Sequence, residues 1–243
     1  MNKDLSFAKT LALRINEFNG KAYYVGGFVR DRLLGIDNKD IDLEIHNIDI
    51  DKLEDILKEF GEIKTEGESF GVYKVKGYDV DISLPRKELN VGKGHKDFKI
   101  YSDPFIGTYE AAKRRDITIN ALMEDVISGE IIDHFNGLDD LKNKVIRYVN
   151  DDSFIEDPLR VLRIAQFASR FEFEVDEKTI KLCQSMDLKS LSKERVYQEL
   201  DKALLKANKP SIFFNTLRKM NQLDYWFKEV NDLIGVLQNK EYH

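Results

Sequence analysis

Residues 24–44 read YVGGFVRDRLLGIDNKDIDLE, and this stretch decides the fold. The apolar run Ala22 to Val25, the pair Gly26–Gly27 and then Phe28 to Leu34, with Val29, Leu33 and Leu34 at helical spacing, spell a strand, a glycine turn and a helix. Such a junction brings backbone amides close to a phosphate at a helix N-terminus, where the dipole also favours an anion. Arg30 would stand in that helix's first turn. The dipole opposes a cation there, so a phosphate ligand gives the arginine a reason to be present. Further on, Asp40, Asp42 and Glu44 share one face of a strand while Ile41, Leu43 and Ile45 point into a core. Asp40 and Asp42 then form a clamp for a hard divalent cation, since Mg2+ is typically held by one or two carboxylates plus phosphate oxygens. An isolated acidic alternation would be only the solvated face of an edge strand. The glycine turn and Arg30 ahead of it supply the phosphate that a metal would act on.

Tyr78 to Leu84 repeats the alternation. Asp79, Asp81 and Ser83 share a face, with Val80, Ile82 and Leu84 opposite. Around these segments the chain divides near residue 150. The first part, 1–150, alternates strand-like runs (22–25, 41–45, 71–75, 80–84 and 129–133) with helices near 3–18, 28–34, 49–60 and 109–123, an α+β head around a small sheet. In 151–243 the strand signals fade, and 158–171, 176–186, 193–206 and 210–220 read as helices, with Pro158 and Pro210 where a first turn tolerates proline. Lys87 to Asp103, with Gly92 and Gly94, is the longest loop candidate.

Composition removes several classes of function. With 243 residues, 42% of them hydrophobic, the chain can bury real cores. It has no apolar run near the roughly eighteen residues of a membrane span and no signal-peptide pattern at MNKDLS, so a cytoplasmic protein is expected. The single cysteine, Cys183, excludes an internal disulfide and reads as a small core residue on a helix. His46, His95, His134 and His243 are too scattered to suggest a metal site, and a phosphohydrolase would need a histidine–aspartate cluster that the sequence lacks.

GGFVRDRLLG followed by KDIDLE resembles the first motif of the bacterial tRNA nucleotidyltransferases (CCA-adding enzymes) and poly(A) polymerases, members of the polymerase-beta-like superfamily. KRRDITINAL (113–122) is similar to that family's RRDxTxNA element, EDPLRVLR (156–163) to its EDxxRxxR element, and SKERVYQEL (192–200) to its ERxxxE segment, so the likeness covers essentially the whole chain. It implies a polymerase-beta-like head with a small mixed sheet, followed by an all-helical neck and body. It also implies a third catalytic carboxylate beside Asp40 and Asp42, for which Asp81 is taken with Asp79 as competitor, and two metals that align hydroxyl and pyrophosphate in line. An arginine of the Arg114–Arg115 pair would contact the nucleotide, Arg115 ahead of Arg114, while Asp116 and Asn120 shape the sugar environment. A guanidinium suits that role because it forks onto phosphate oxygens.

Asp157, Arg160 and Arg163 are spaced by three and project along one helical face. A carboxylate accepts from cytosine N4 or adenine N6 and a guanidinium donates to the neighbouring ring atom, whereas uracil and guanine set a carbonyl against the carboxylate. The pair Asp157–Arg160 can thus select CTP and ATP without a template, as the family's Asp–Arg pair is understood to do. Some relatives carry a further arginine where this chain has Gln166.

The net charge of −6 conceals a basic segment. Residues 181–220 hold nine Lys or Arg against four Asp or Glu, a sum of +5 that leaves −11 for the remainder. A local basic stripe can track a phosphate backbone, and the family resemblance makes the tRNA 3' end its expected partner. The chain stops at VLQNKEYH (236–243), where longer relatives continue into further helices and often an HD domain, so a truncation is expected there. The expected activity is addition of C and A to tRNA from CTP and ATP with Mg2+. Poly(A) addition, CC-only or A-only addition, and a non-catalytic nucleotide- or RNA-binding remnant are the alternatives.

Overall fold

The computed structural model describes residues 3–66, 71–90, 98–233 and 235, and the chain forms two compact units, Met1–Leu141 and Lys142–His243. The first unit runs α1 (Lys3–Asn16), β1 (Lys21–Val25), α2 (Gly27–Leu33), β2 (Ile41–His46), α3 (Ile50–Phe60), β3 (Ile63–Glu66), β4 (Val72–Val75), β5 (Val80–Ser83), β6 (Arg86–Asn90), β7 (Phe98–Ser102), α4 (Gly107–Lys113), a 3-10 turn at Thr118–Asn120, β8 (Met123–Asp125), β9 (Ile131–Ile132) and α5 (Gly137–Asn143). Seven strands form one mixed sheet in the order β3-β4-β5-β2-β1-β8-β9; among the described residues its one parallel pair is β2 with β5.

The alternation read from sequence is what fixes this sheet. Ile41, Leu43 and Ile45 on β2, Val80 and Ile82 on β5, and Tyr73 and Val75 on β4 turn inward against Leu11 and Ile15 of α1 and Leu53, Ile56 and Leu57 of α3, all buried in one core. A strand with one buried face tolerates no slip, because a one-residue shift would exchange the acidic and apolar faces. The stretch 87–103, expected as a loop, instead pairs antiparallel at its ends as β6 and β7, from Arg86 opposite Ser102 to Asn90 opposite Phe98. Residues 91–97, with Gly92 and Gly94, lie outside the described residues.

The helix expected over 109–123 is a second departure. α4 stops at Lys113, and the chain continues as a loop with one 3-10 turn before β8. Polar side chains there bind the local backbone and each other, an alternative that competes with the helical ladder. Asp116 accepts from the amide of Ile117 (2.8 Å) and from Asn120 Nδ2 (3.0 Å), and Thr118 donates to Asp140 (2.7 Å).

The second unit contains β10 (Val145–Ile146), α6 (Asp151–Ile155), α7 (Leu159–Phe171), β11 (Glu174–Val175), α8 (Glu177–Gln184), α9 (Lys193–Lys206), α10 (Ser211–Lys219) and α11 (Leu223–Asp232). It is helical apart from the short parallel pair of β10 with β11. Its helices start where side-chain caps allow: Asn150 accepts from Ser153, Asp176 from Lys178 and Thr179, and Ser192 from Arg195. Pro158 and Pro210 stand at the N-caps of α7 and α10. Cys183 is fully buried on α8, and burial pushes its thiol up to about 12.

Candidate active site

The two acidic strands meet in register. Asp42 on β2 is the direct partner of Asp81 on β5, and in a parallel pair directly opposed residues face the same side. Asp40 stands two residues before Asp42 at the mouth of β2, exposed, its amide donating to Asn38 Oδ1 (2.9 Å). Asp79, the competitor for the third carboxylate, precedes β5; its amide donates to Asp4 Oδ1 (3.2 Å). Burial pushes the Asp42 carboxyl up to about 6, with Arg115 opposing and the charges of Asp81 and Asp40 adding to the rise. Asp81 also pairs with Lys74 of β4 at 3.1 Å, so the acidic face carries an internal counter-cation.

Among the described residues no three His, Cys, Asp or Glu side chains form a ready-made metal cage. The donor set nevertheless suits Mg2+, which takes one or two carboxylates and completes its shell with water and substrate phosphate. The charge crowding on Asp42 is of the kind a divalent cation relieves.

The glycine turn lies against this face. Gly26, between β1 and α2, has φ +65, a conformation glycine takes without strain. A Cβ on it would sit 3.3 Å from Arg115 Nη1 and 3.9 Å from Asp42 Oδ2. Gly27 opens α2, and a Cβ there would sit 3.3 Å from Arg30 Nη2. Arg30 itself is only 3% exposed. Its Nε donates to Asp31 Oδ1 at 2.7 Å and its Nη1 to Asn120 Oδ1, while Asn38 donates to the other oxygen of Asp31 (2.9 Å). Arg30 thus ties α2 to the turn that carries Asn120 while its Nη2 stays beside Gly27. Two cations stand beside the glycine turn, Arg30 toward Gly27 and Arg115 toward Gly26.

Arg115 directly follows Arg114, the C-cap of α4. Its Nη2 donates to Glu44 Oε2 at 3.1 Å, and the other oxygen of Glu44 accepts from His46 Nε2 at 2.9 Å. Burial acts to raise the Glu44 carboxyl, but the His46 hydrogen bond and the charges of Arg115, His46 and Arg114 outweigh it and hold the group below its ordinary value. Reading the sequence placed Glu44 on the acidic face without a role; the only signal for one was His46 two residues on, sharing that face. Asp140 and Gly137, which brace the 118–120 turn, were also missed. A Cβ at Gly137 would lie 2.4 Å from the Thr118 carbonyl oxygen.

In the second unit Asp157 sits just ahead of α7, not on it. Its Oδ1 accepts from the amide of Leu159 (3.1 Å), and its two oxygens accept from Arg195 Nη2 of α9 at 3.1 and 2.9 Å. Arg160 and Arg163 stand on α7 as spaced, partly exposed; Arg163 lies over the Phe167 ring and 3.9 Å from Glu199. Gln166 is buried on α7. Of the basic segment, Lys202, Lys209 and Lys219 pair with Glu199, Glu172 and Glu174, while Lys181, Lys193, Lys206 and Arg218 are exposed.

A mixed sheet that sets two aspartates side by side next to a glycine turn is the architecture of an α+β nucleotidyltransferase head. The family profile described as "Poly A polymerase head domain" matches residues 22–147, more than half of the chain, and the protein belongs to that family. A second profile, "Probable RNA and SrmB- binding site of polymerase A", matches residues 172–234. The Multifunctional CCA protein of Haemophilus ducreyi is 38% identical over 228 residues, covering 91% of this chain and 54% of the relative. Among solved structures, the Thermotoga maritima CCA-adding enzyme complexed with tRNA is 28% identical with a TM-score of 0.75, covering 94% of this chain and 54% of that one. The Bacillus stearothermophilus CCA-adding enzyme in complex with CTP is 26% identical, also with a TM-score of 0.75, covering 91% of this chain and 53% of that one. The chain thus spans about half the length of the relatives it matches.

Proposed function

We propose that the chain is the catalytic portion of a template-independent nucleotidyltransferase that adds C and A residues to the 3' end of tRNA, using CTP, ATP and Mg2+ in the cytoplasm. The observation that carries the reading is the register of Asp42 with Asp81 beside the Gly26 turn. The names of the relatives and the CTP, ATP and tRNA complexes among the fold neighbours support the choice of substrates. Among the described residues no helix is long and apolar enough to cross a membrane.

In the reaction the 3'-hydroxyl oxygen of the primer bonds to the α-phosphorus of the nucleotide, the bond to the β-phosphate oxygen breaks, pyrophosphate leaves and the hydroxyl proton is lost to water. Asp40 and Asp42, with Asp81 as third carboxylate, would hold Mg2+, which when bound offsets the charge developing on the attacking and leaving oxygens. Amides at Gly26 and Gly27 would receive the triphosphate with Arg30, which also holds Asn120 to the turn, and Arg115 would donate to its oxygens with Arg114 adjoining. Asp157 and Arg160 would read the base edge, with Arg163 beside them. Two acceptors opposed, as uracil or guanine would require against Asp157, discriminate by roughly 1 to 3 kcal/mol. The basic segment 181–220 would follow the tRNA backbone.

The head-domain description favours a second reading, poly(A) addition by the same chemistry. The test is incubation of the chain with Mg2+ and labelled tRNA lacking its CCA end, with CTP alone, ATP alone and both, and products resolved at single-nucleotide length. Stepwise C, C and A is expected. A long A tail selects the second reading, and absence of any nucleotide addition overturns both.

A further inference from the structure

Glu44 has no part in the reaction as set out above, yet it is among the most constrained carboxylates of the first unit. It is 7% exposed, on a strand one pleat beyond Asp42, and each of its oxygens has a separate partner: Arg115 at 3.1 Å and His46 at 2.9 Å. His46 is itself 1% exposed and meets the Tyr23 ring edge-on at 5.2 Å, Tyr23 being the β1 residue opposite Glu44. His46 Nδ1 is buried without a hydrogen-bond partner among the described residues, and Nε2 carries the proton that it donates to Glu44. Buried carboxylates are costly unless paired and fully hydrogen-bonded, and here the pairing consumes both oxygens.

What the pairing achieves is seen at the other end of the guanidinium. Arg115 is a long side chain on a connecting loop, 31% exposed, with several rotamers open to it. One of its terminal nitrogens is taken by Glu44; the other is the atom nearest the space above Gly26, 3.3 Å from where a Cβ would stand. A planar guanidinium held at one nitrogen has its remaining donors aimed in a fixed direction.

We propose that Glu44 is a positioning residue: its carboxylate, braced by His46, holds Arg115 with its free edge toward the Gly26–Gly27 turn, so that the arginine meets the nucleotide's phosphates already oriented. The inference rests on the proposed nucleotide binding at that turn. Glu44 touches no substrate; its effect passes entirely through Arg115.

The test is a double-mutant cycle on the full chain with Glu44→Ala, Arg115→Ala and both, read as Mg2+–CTP affinity and as separate KM and kcat on tRNA lacking its CCA end. Thermal melting checks that each variant is folded, and the isosteric Glu44→Gln, which keeps an acceptor for Arg115, stands in should the alanine fail to fold. Glu44→Ala should raise KM for CTP about tenfold with a smaller change in kcat, as expected for one charge-assisted contact. Glu44→Gln should recover part of that loss, and Glu44→Ala should cost nothing further once Arg115 is alanine. Independent, additive losses, or a CTP affinity unchanged in folded Glu44→Ala while Arg115→Ala weakens it, would overturn the positioning role alone; should the alanine not fold, losses from Glu44→Gln and Arg115→Ala that simply add would do the same. If the wild-type chain binds neither CTP nor ATP, the nucleotide-site reading falls and this inference with it.

Discussion

Asp42 is held in a state that the apo protein resists. Its carboxyl is pushed up to about 6, foremost by burial and then by Asp81 and Asp40, above the ordinary value of 3.8. A group whose folded pKa is raised contributes stability that is complete below the unfolded value and lost as pH rises through the folded one. For Asp42 the loss falls between about pH 4 and pH 6, so at neutral pH the metal-free fold carries an ionised carboxylate against its preference. Asp42→Asn should therefore abolish nucleotide transfer, by about a thousandfold or more as for loss of a principal electrostatic group. The same variant should melt a few degrees above wild type at pH 7.5 without metal, and the gap should close at pH 4. Thermal melts at the two pH values together with a single-turnover assay check this; a variant that melts below wild type at pH 7.5 would contradict the electrostatic account.

Elements differ in how far the sequence announced them. Period-two alternation on β2 and β5 and the glycine turn before α2 were legible because each is written in consecutive residues. The register of β2 with β5 is not written in any one stretch, since its partners lie about forty residues apart. The helix expected over 109–123 ends early because bonds from Arg30 and Asp140, far along the chain, hold Asn120 and Thr118. Asp157 was read onto a helical face because Arg160 and Arg163 follow at spacings of three, though it precedes the N-cap Pro158 and its side chain accepts the Leu159 amide at the start of α7. Gly137 is the least visible of these determinants, a lone glycine in GLDDL. With the Thr118 carbonyl 2.4 Å from any added Cβ, the backbone of α5 or of the 118–120 turn must move. Gly137→Ala should destabilise the fold by roughly 1 to 3 kcal/mol, the usual cost of overpacking, and displace Asn120. Urea unfolding measures the first effect. The second would appear as weaker CTP binding in the variant under conditions where it remains folded.

At the scale of the whole molecule, charge is divided between a segment of +5 and a remainder of −11. Within 181–220 the exposed Lys181, Lys193, Lys206 and Arg218 are the cations open to a phosphate backbone. Because phosphate contacts act through counterion release, reversing Lys181, Lys206 and Arg218 to glutamate should weaken tRNA binding by tenfold or more at about 0.1 M salt and flatten its salt dependence, with CTP binding retained. A titration across salt concentrations decides it: an unchanged slope would remove this segment from the RNA path.

The seven-stranded sheet also ends in a way that bears on the solution behaviour of the chain. One margin is β9, only two residues long, and the other is β3, four residues with Lys64 exposed at its centre. An open sheet margin is a template on which another chain can add a strand, and brevity and an outward lysine are the usual deterrents. Among the described residues neither margin offers a long, flat, apolar ladder, so this sheet should resist fibril-like growth from its edges.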